Sequence, residues 1–270
     1  MTGQVRAKTS RIGLIGFGFI AQQVCRRIIE HPALGLELAF VHVRSPGRLI
    51  GVPPELILHD LGDFGRMAPD LVVEIAHPKY TQVYGEAILE HADYLPLSVT
   101  ALADDALRER LIAQARSSGT VLAVPHGALM GVDSLLEWRD QWSEVSITFY
   151  KAPANIDFSE SGMDGASITT ETTVYEGPVR GIAPLFPRNV NTMVTCALAT
   201  TGLDLCRARL VAVPGLQVAI AEVSARGRDG SVLHMRKEQP VSGVSGTEMF
   251  ESQWASILRA TGARQSYSFV

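Results

Sequence analysis

Cysteine is scarce in this chain of 270 residues, and its spacing excludes two classes of protein. The three cysteines, Cys25, Cys196 and Cys206, are odd in number and form no C-x-x-C motif. A disulfide scaffold or a cysteine-based metal site would need more cysteines at closer spacing. The pattern favours buried thiols that act as small apolar side chains in a reducing compartment. It predicts a cytoplasmic protein without a bound metal.

Long apolar runs and an excess of basic charge are also missing. The apolar runs have the length of strands, so no membrane span is predicted, and residues 1–10 lack the apolar core of a secretory signal. The 24 basic and 28 acidic side chains give a net charge of -4, whereas a nucleic-acid interface would need a strongly basic face. We therefore expect a small-molecule ligand rather than a membrane or a nucleic acid.

What the chain does contain is a glycine-rich turn near its start. An apolar run at residues 12–15 precedes it, and apolar side chains recur at helical spacing after it. The turn has the G-x-G-x-x-A pattern of dinucleotide-binding proteins, formed by Gly16, Phe17, Gly18, Phe19, Ile20 and Ala21. Gly16 would allow the tight turn, and Gly18 would let a pyrophosphate approach the helix N-terminus. The alternative is a strand-to-helix turn that binds no ligand.

The loop after the second predicted strand, residues 36–43, indicates which dinucleotide is bound. A site that prefers NAD places an acidic residue near this point, where it bonds the ribose 2′-hydroxyl. The sequence has Arg44, Ser45 and Arg48 instead, and these side chains could surround a 2′-phosphate. They favour NADP as the cofactor, with NAD possible. The alternative is a solvated basic loop.

Three further strands are predicted at residues 71–75, 95–99 and 121–124, with helices between them. Short apolar strands that alternate with amphipathic helices predict an α/β fold, here a Rossmann-type doubly wound parallel sheet. Such sheets bind ligands at the carboxyl ends of their strands. The candidates to lie beside a nicotinamide ring at those ends are Ala76, His77, Ser98, His126 and Ala128. Either histidine could instead be an ordinary loop or core residue.

The second half has alternating strands, which predict a second α/β domain with a mixed or antiparallel sheet. Lys151 ends one such strand on its apolar face and is the predicted cation for substrate carboxylates, with Arg188 behind it. The alternative is a lysine that merely extends to the surface. Further along, Asp229 and Gly230 predict a two-residue hairpin turn, which would pair His234 opposite Ala225.

These patterns predict two domains. The dinucleotide-binding domain is expected over residues 1–126 and is completed by the C-terminal helix 247–270. The substrate and dimerisation domain is expected over residues 127–246.

Several stretches of the chain resemble the L-aspartate dehydrogenase family. Three stretches are similar to the signatures of the family, residues 16–21, 125–131 and 186–191. Three others are similar to its animal-type branch, the aspartate dehydrogenase domain-containing proteins, and these are residues 35–41, 69–79 and 175–181. The resemblance implies a homodimer that interconverts L-aspartate and iminosuccinate, and then oxaloacetate and ammonia, with NAD or NADP. It also implies that Ala128 and Asn191 contact the cofactor. From the residues alone, Asn191 could equally cap a helix.

One position departs from the family pattern. The resemblance implies a catalytic histidine at the position that Ala221 occupies. Alanine cannot carry a proton, so we expect slow or absent aspartate oxidation unless another group replaces the histidine. Among the candidate catalytic residues, His126 ranks first as that replacement, followed by His77, and Lys151 is the candidate substrate contact.

Three functions follow from these observations. The first is an amino-acid dehydrogenase that acts on aspartate, and the second is an imine reductase or amine dehydrogenase with another small amine or imine as substrate. The third is a non-enzymatic protein that senses NADP. The number of cations at the site separates the first two, since a dicarboxylate requires at least two.

Overall fold

The computed structural model describes residues 9–45, 49, 51–242, 245–246 and 249–262. The helices in this part of the chain are α1 (Phe19–Glu30), α2 (Pro78–Leu89), α3 (Asp105–Ser118), α4 (Val132–Glu137), α5 (Val179–Ile182), α6 (Asn191–Ala199) and α7 (Met249–Ala260). The strands are β1 (Ser10–Ile15), β2 (Leu36–His42), β3 (Ile57–Leu58), β4 (Leu71–Glu74), β5 (Asp93–Pro96), β6 (Trp142–Lys151), β7 (Thr172–Pro178), β8 (Arg207–Ala212), β9 (Val218–Gly227), β10 (Val232–Ser242) and β11 (Ser245–Gly246). None of the helices in these ranges has the length and apolar character that crossing a membrane requires.

The described residues cluster into two compact units. The first unit comprises those of Met1–Leu97, Ala106–Val124 and Gln253–Val270. The second unit comprises those of Ser98–Asp105 and Pro125–Ser252. The short segment Ser98–Asp105 therefore groups with the second unit, although its neighbours in sequence belong to the first.

The first unit contains a five-stranded sheet in the order β3-β2-β1-β4-β5, and each of its strand pairs is parallel. Its strands are continuous apolar runs because helices cover a parallel sheet on both faces. Ile12, Leu14, Phe40 and Val72 are accordingly fully buried. The order is that of the first five strands of a doubly wound nucleotide-binding sheet, 3-2-1-4-5. The predicted Rossmann-type parallel sheet is confirmed.

Two predicted strands of this unit need correction. The strand expected at residues 95–99 ends at Pro96, and a 3₁₀ turn follows at Val99–Ala103. The strand expected at residues 121–124 is reduced to a single parallel bridge between Tyr94 and Leu122. Two hydrogen bonds hold that bridge, from the Tyr94 N–H to the Val121 carbonyl at 2.9 Å and from the Ala123 N–H to the Tyr94 carbonyl at 2.8 Å. Short apolar segments of this kind do not reveal from sequence alone how far their pairing extends.

The second unit contains a six-stranded sheet in the order β11-β10-β9-β6-β8-β7. Strands β6 and β8 run parallel, and the other pairs are antiparallel, so the predicted mixed sheet is confirmed. Strand β7 begins at Thr172, and the helix that follows it, α5, is limited to Val179–Ile182.

One face of this sheet is buried, and we call it the packed face. It carries alternate residues of β6, namely Val145, Ile147, Phe149 and Lys151, and of β9, namely Ala219, Ala221, Val223 and Ala225. These side chains are buried, as the period of two in a half-covered sheet requires. The predicted position of Lys151 on this face is observed.

The hairpin between β9 and β10 differs from the prediction by one residue of register. His234 lies opposite Ser224, not Ala225, and Lys237 lies opposite Ala221. The reason is a three-residue loop in place of a two-residue turn. The Gly227 N–H donates to the Ser231 carbonyl at 2.8 Å, and Gly230 adopts a left-handed conformation with φ of 88°. Three-residue hairpin loops usually place glycine at that position.

Candidate functional site

The glycine turn between β1 and α1 has a conformation that its first glycine makes possible. Gly16 has φ of 107°, and its N–H donates to the His42 carbonyl at 2.8 Å. A Cβ atom at this position would lie only 2.7 Å from the Ile75 carbonyl oxygen. Both the left-handed conformation and the close backbone approach therefore require glycine.

Gly18 is different, because the protein itself does not require glycine there. It is the N-cap of α1, and a Cβ atom added to it would have no neighbour within 4 Å. The first turn of α1 contains no acidic residue, and no side chain in the described ranges caps it. The first N–H groups of a helix lack intrahelical partners and attract anions. The turn thus fits the pyrophosphate of a dinucleotide, with open space where the phosphates would approach.

The loop after β2 presents two of the three predicted phosphate-binding residues. Arg44 and Ser45 are exposed just beyond the end of that strand. Arg48 lies outside the described residues. At the strand end, the His42 ring is buried and its Nδ1 lies 2.9 Å from the Leu58 carbonyl oxygen.

The exit of β4 is organised by a residue that the sequence reasoning missed. Glu74 is fully buried, and its Oε1 accepts hydrogen bonds of 2.6 Å from the N–H groups of Ala76 and His77. The His77 Nδ1 in turn accepts a bond from the Lys79 N–H at 3.1 Å and caps α2. Ala76 and His77 are therefore held in place beside the carbonyl of Ile75. The signal in the sequence was a single acid at the end of an apolar strand.

In the second unit, the predicted residues His126 and Ala128 belong to a loop that is tied to α6 and β10. The Thr195 Oγ1 donates to the Pro125 carbonyl at 3.0 Å, and the Ala128 N–H donates to the Thr192 Oγ1 at 3.3 Å. The Lys237 Nζ donates to the Ala128 carbonyl at 3.0 Å. His126 is half-buried within this loop, and its Nε2 is shielded from solvent.

Asn191, the first residue of α6, does not cap its own helix. The N-cap is Val190, and the Asn191 Oδ1 accepts a bond of 3.1 Å from the Thr100 N–H. A second bond, from the Thr100 Oγ1 to the Pro187 carbonyl at 3.0 Å, strengthens this link. The structure thus joins the start of α6 to the 3₁₀ turn that follows Ser98. The alternative that Asn191 is a helix cap is wrong.

The packed face brings two lysines close to Ala221. Lys151 is only 8% exposed, and its Nζ lies 5.7 Å from the centre of the Phe149 ring. Burial lowers the pKa of Lys151 from its ordinary value to about 8. Across the strands, Phe149 lies opposite Ala221, and Ala221 lies opposite Lys237. Ala221 is therefore flanked by an aromatic ring on one side and a lysine on the other.

Arg188, the second predicted cation, has another partner. Its Nη1 lies 3.0 Å from the Asp157 Oδ2. Hydrogen bonds from Ser159, assisted by Arg188, lower the pKa of Asp157, which keeps the carboxylate charged. The predicted second cation is therefore engaged by a carboxylate of its own chain.

The predicted site residues thus fall into two groups. The first unit contains the glycine turn of residues 16–21 together with Arg44, Ser45, Ala76 and His77. The second unit contains Ser98, His126, Ala128, Lys151 and Asn191. No group of histidine, cysteine and acidic side chains in the described ranges has the arrangement of a metal site. The residues that sequence reasoning missed are Glu74, Thr100 and Lys237.

Comparison with protein families matches both halves of the chain. Residues 16–125 match the family described as homoserine dehydrogenase, NAD binding domain. Residues 136–247 match the family described as aspartate dehydrogenase, C-terminal. The first match identifies a domain for a nicotinamide cofactor, which agrees with the open turn at Gly18.

Individual proteins are similar over almost the whole chain. The aspartate dehydrogenase domain-containing protein of Xenopus tropicalis is 37% identical over 272 residues, which cover 93% of this chain and 95% of that protein. L-aspartate dehydrogenase 1 of Bordetella pertussis is 32% identical over 263 residues, with 95% and 94% covered. The crystal structure of aspartate dehydrogenase from Thermotoga maritima has the same fold, with a TM-score of 0.72 at 24% identity over 97% of this chain and 99% of that one.

Proposed function

The chain belongs to the aspartate dehydrogenase family, and from this premise we propose that it is an NAD(P)-dependent dehydrogenase of a small amino acid with an acidic side chain. The observation that carries the proposal is Lys151, a lysine almost entirely buried on the packed face, two residues beyond Phe149 and thus close to Ala221. Lysine is rarely buried to this degree. A buried titratable group with a shifted pKa is a candidate for a functional site.

The residues that would hold the cofactor are those predicted from the glycine turn, the loop after β2 and the family resemblance. The turn from Gly16 to Ile20 would bind the pyrophosphate, and Asn191 and Ala128 would contact the nicotinamide end. Arg44 and Ser45, with Arg48, would bind a 2′-phosphate, which favours NADP over NAD. When bound, the cofactor supplies the redox step, in which the substrate carbon that bears the amino group loses a hydride and becomes an imine carbon.

The protein's own side chains have two tasks in this scheme. The ammonium of Lys151 would bind a substrate carboxylate and orient the reacting carbon. His126 would take up the proton that the amino group releases. Water would then add to the imine, which yields an oxo acid and ammonia.

A second function is favoured by one observation, the alanine at position 221. Without the histidine that the family resemblance implies there, the enzyme would act as an imine reductase or amine dehydrogenase on another small substrate. The methyl group of Ala221 leaves more room than an imidazole would. Under this alternative the cofactor-binding residues keep their roles.

Turnover assays distinguish these functions. We expect slow oxidation of L-aspartate with NADP, measured by the formation of reduced cofactor. In the His126→Ala variant the turnover rate should fall by a further factor of about 10²–10⁴. Lys151→Ala should raise KM for the acidic substrate while cofactor affinity stays within about twofold. Faster turnover of neutral amines or imines would select the second function. Rapid aspartate oxidation that His126→Ala leaves unchanged would contradict the role of His126.

We also propose that the subunit forms a homodimer, as the family resemblance implies. Sedimentation velocity tests this assignment over a range of protein concentrations. A single monomeric species at every concentration would contradict it.

A further inference from the structure

The starting point is a row of three residues across the packed face. Phe149 of β6, Ala221 of β9 and Lys237 of β10 lie directly opposite one another. Directly opposite residues in a sheet have Cβ atoms about 4.5–5.5 Å apart on the same face. The long side chain of Lys237 therefore stands beside the methyl group at the position where the family resemblance implies a histidine.

The ammonium of Lys237 is held in a defined place. It donates to the Ala128 carbonyl at 3.0 Å, in the loop that the Thr192 hydroxyl of α6 also holds. This bond orients the ammonium of Lys237 toward the loop of Ala128. Two residues earlier, Met235 lies against the same segment, since a Cβ atom at Gly131 would be 2.5 Å from its sulfur. This part of β10 thus faces the loop of Ala128.

The neighbouring cation of β10 shows a different environment. Arg236 points to the opposite face of the sheet, where it forms ion pairs with Glu222 and with Glu238. Hydrogen bonds from the guanidinium to these carboxylates raise the pKa of Arg236 further. Arg236 is therefore a matched control for Lys237, because it lies on the same strand and carries the same charge but faces the other side of the sheet.

Lys151 is the second cation of the packed face. It lies two strands away from Lys237 and two residues further along, which places the two Cα atoms about 12 Å apart from the ordinary spacings of a sheet. Between them lie the methyl groups of Ala219 and Ala221. Two flexible four-carbon side chains can reach inward over this floor and contact opposite ends of a small molecule.

We propose that Lys237 is a specificity-determining residue, which binds one carboxylate of a dicarboxylic substrate while Lys151 binds the other. This assignment rests on the proposed function and deepens it. In this chain, recognition of the second carboxylate is supplied by β10, next to the alanine, rather than by a side chain at position 221.

Calorimetric titration with succinate and butyrate tests the assignment without turnover. The two probes have the same number of carbons but differ by one carboxylate. The full chain with bound NADP should bind succinate more tightly than butyrate. Loss of one charged hydrogen bond in Lys237→Met should weaken succinate binding about tenfold or more, and butyrate binding should change by less than about twofold. Lys237→Arg should retain most of the succinate affinity, because the charge remains.

Arg236→Met should leave both affinities within about twofold, and thermal unfolding of each variant checks that it is folded. Unchanged succinate binding in Lys237→Met, an equal loss for both probes, or no succinate binding by the unmodified chain would overturn the assignment. The proposed function fails separately, if no amine or imine is turned over with either cofactor. If the chain turns over an amine or imine, but Lys237→Met binds succinate as tightly as the unmodified chain, only the role of Lys237 is overturned.

Discussion

Burying Lys151 costs the folded protein free energy, because a charged ammonium loses its hydration there. Its pKa of about 8 lies below the ordinary value of 10.5, so the unfolded chain holds the proton more tightly. Each pKa unit corresponds to 1.36 kcal/mol, which gives a cost of about 3 kcal/mol below pH 8. A lysine retained at this cost is better explained by binding an anion than by stability.

The sign of this effect can be measured. Between pH 8 and 10.5 the unfolded state binds more protons than the folded state, so stability rises with pH across this window. Lys151→Met should therefore stabilise the protein at pH 7, and its advantage should shrink as the pH rises from 8 to 10.5. Denaturant unfolding at several pH values provides the comparison. If Lys151→Met is less stable than the unmodified protein at pH 7, burial of the ammonium does not lower the stability of the folded state.

Arg44 allows a second test on a single side chain. Because it is exposed beyond β2 and a charge-assisted phosphate contact contributes about 1.5–3 kcal/mol, Arg44→Asp should weaken NADP binding by about tenfold or more. NAD binding should stay the same or improve. Arg66→Asp, at another exposed arginine of the first unit, is the charge-matched control. Equal affinity for both cofactors before and after the change at Arg44 would refute the preference for NADP.

Among the elements, the start of α6 has two potential tasks that a pair of variants can separate. The Asn191 Oδ1 accepts a hydrogen bond from the Thr100 N–H. The contact that we propose between Asn191 and the nicotinamide end of the cofactor would use its Nδ2. Asn191→Asp keeps an acceptor for Thr100, so it should keep stability but lose cofactor affinity. Asn191→Ala should lose both, with a destabilisation of about 1–3 kcal/mol from an unsatisfied N–H. If the Asp variant binds cofactor normally, Asn191 has a structural role only.

The β9–β10 hairpin shows how one residue of register decides what a strand presents. With the predicted two-residue turn, Lys237 would pair with Glu222 and face away from Ala221. With the observed three-residue loop, it pairs with Ala221 on the packed face. A shift of one residue moves every side chain of a strand to the other face. The Asp-Gly pair predicted a hairpin correctly, but both loop lengths are compatible with it.

On the scale of the whole molecule, cofactor binding and stability are coupled. A ligand at 100 times its Kd stabilises the folded state by about 2.7 kcal/mol. Gly18→Ala should leave the stability of the free protein unchanged, because the added methyl meets no atom within 4 Å. It should nevertheless reduce the stabilisation by NADP, since the methyl occupies space that the phosphates need.

Gly16→Ala is the contrasting variant. It should destabilise the protein even without cofactor, because of its positive φ and the contact with the Ile75 carbonyl. Thermal unfolding with and without NADP measures both effects. Full stabilisation of the Gly18→Ala variant by NADP would contradict the phosphate site.

The sequence by itself determined the parallel sheet, the glycine turn, the second mixed sheet and the face on which Lys151 lies. These features depend on local periodicity and on residue types such as glycine, whose conformational freedom is intrinsic. The family resemblance, also carried by the sequence, agrees with the relatives found. Only the tertiary structure decided the roles of Glu74, Thr100 and Lys237. Their partners are backbone groups and strands whose register and approach depend on packing between segments, and no local pattern specifies those distances.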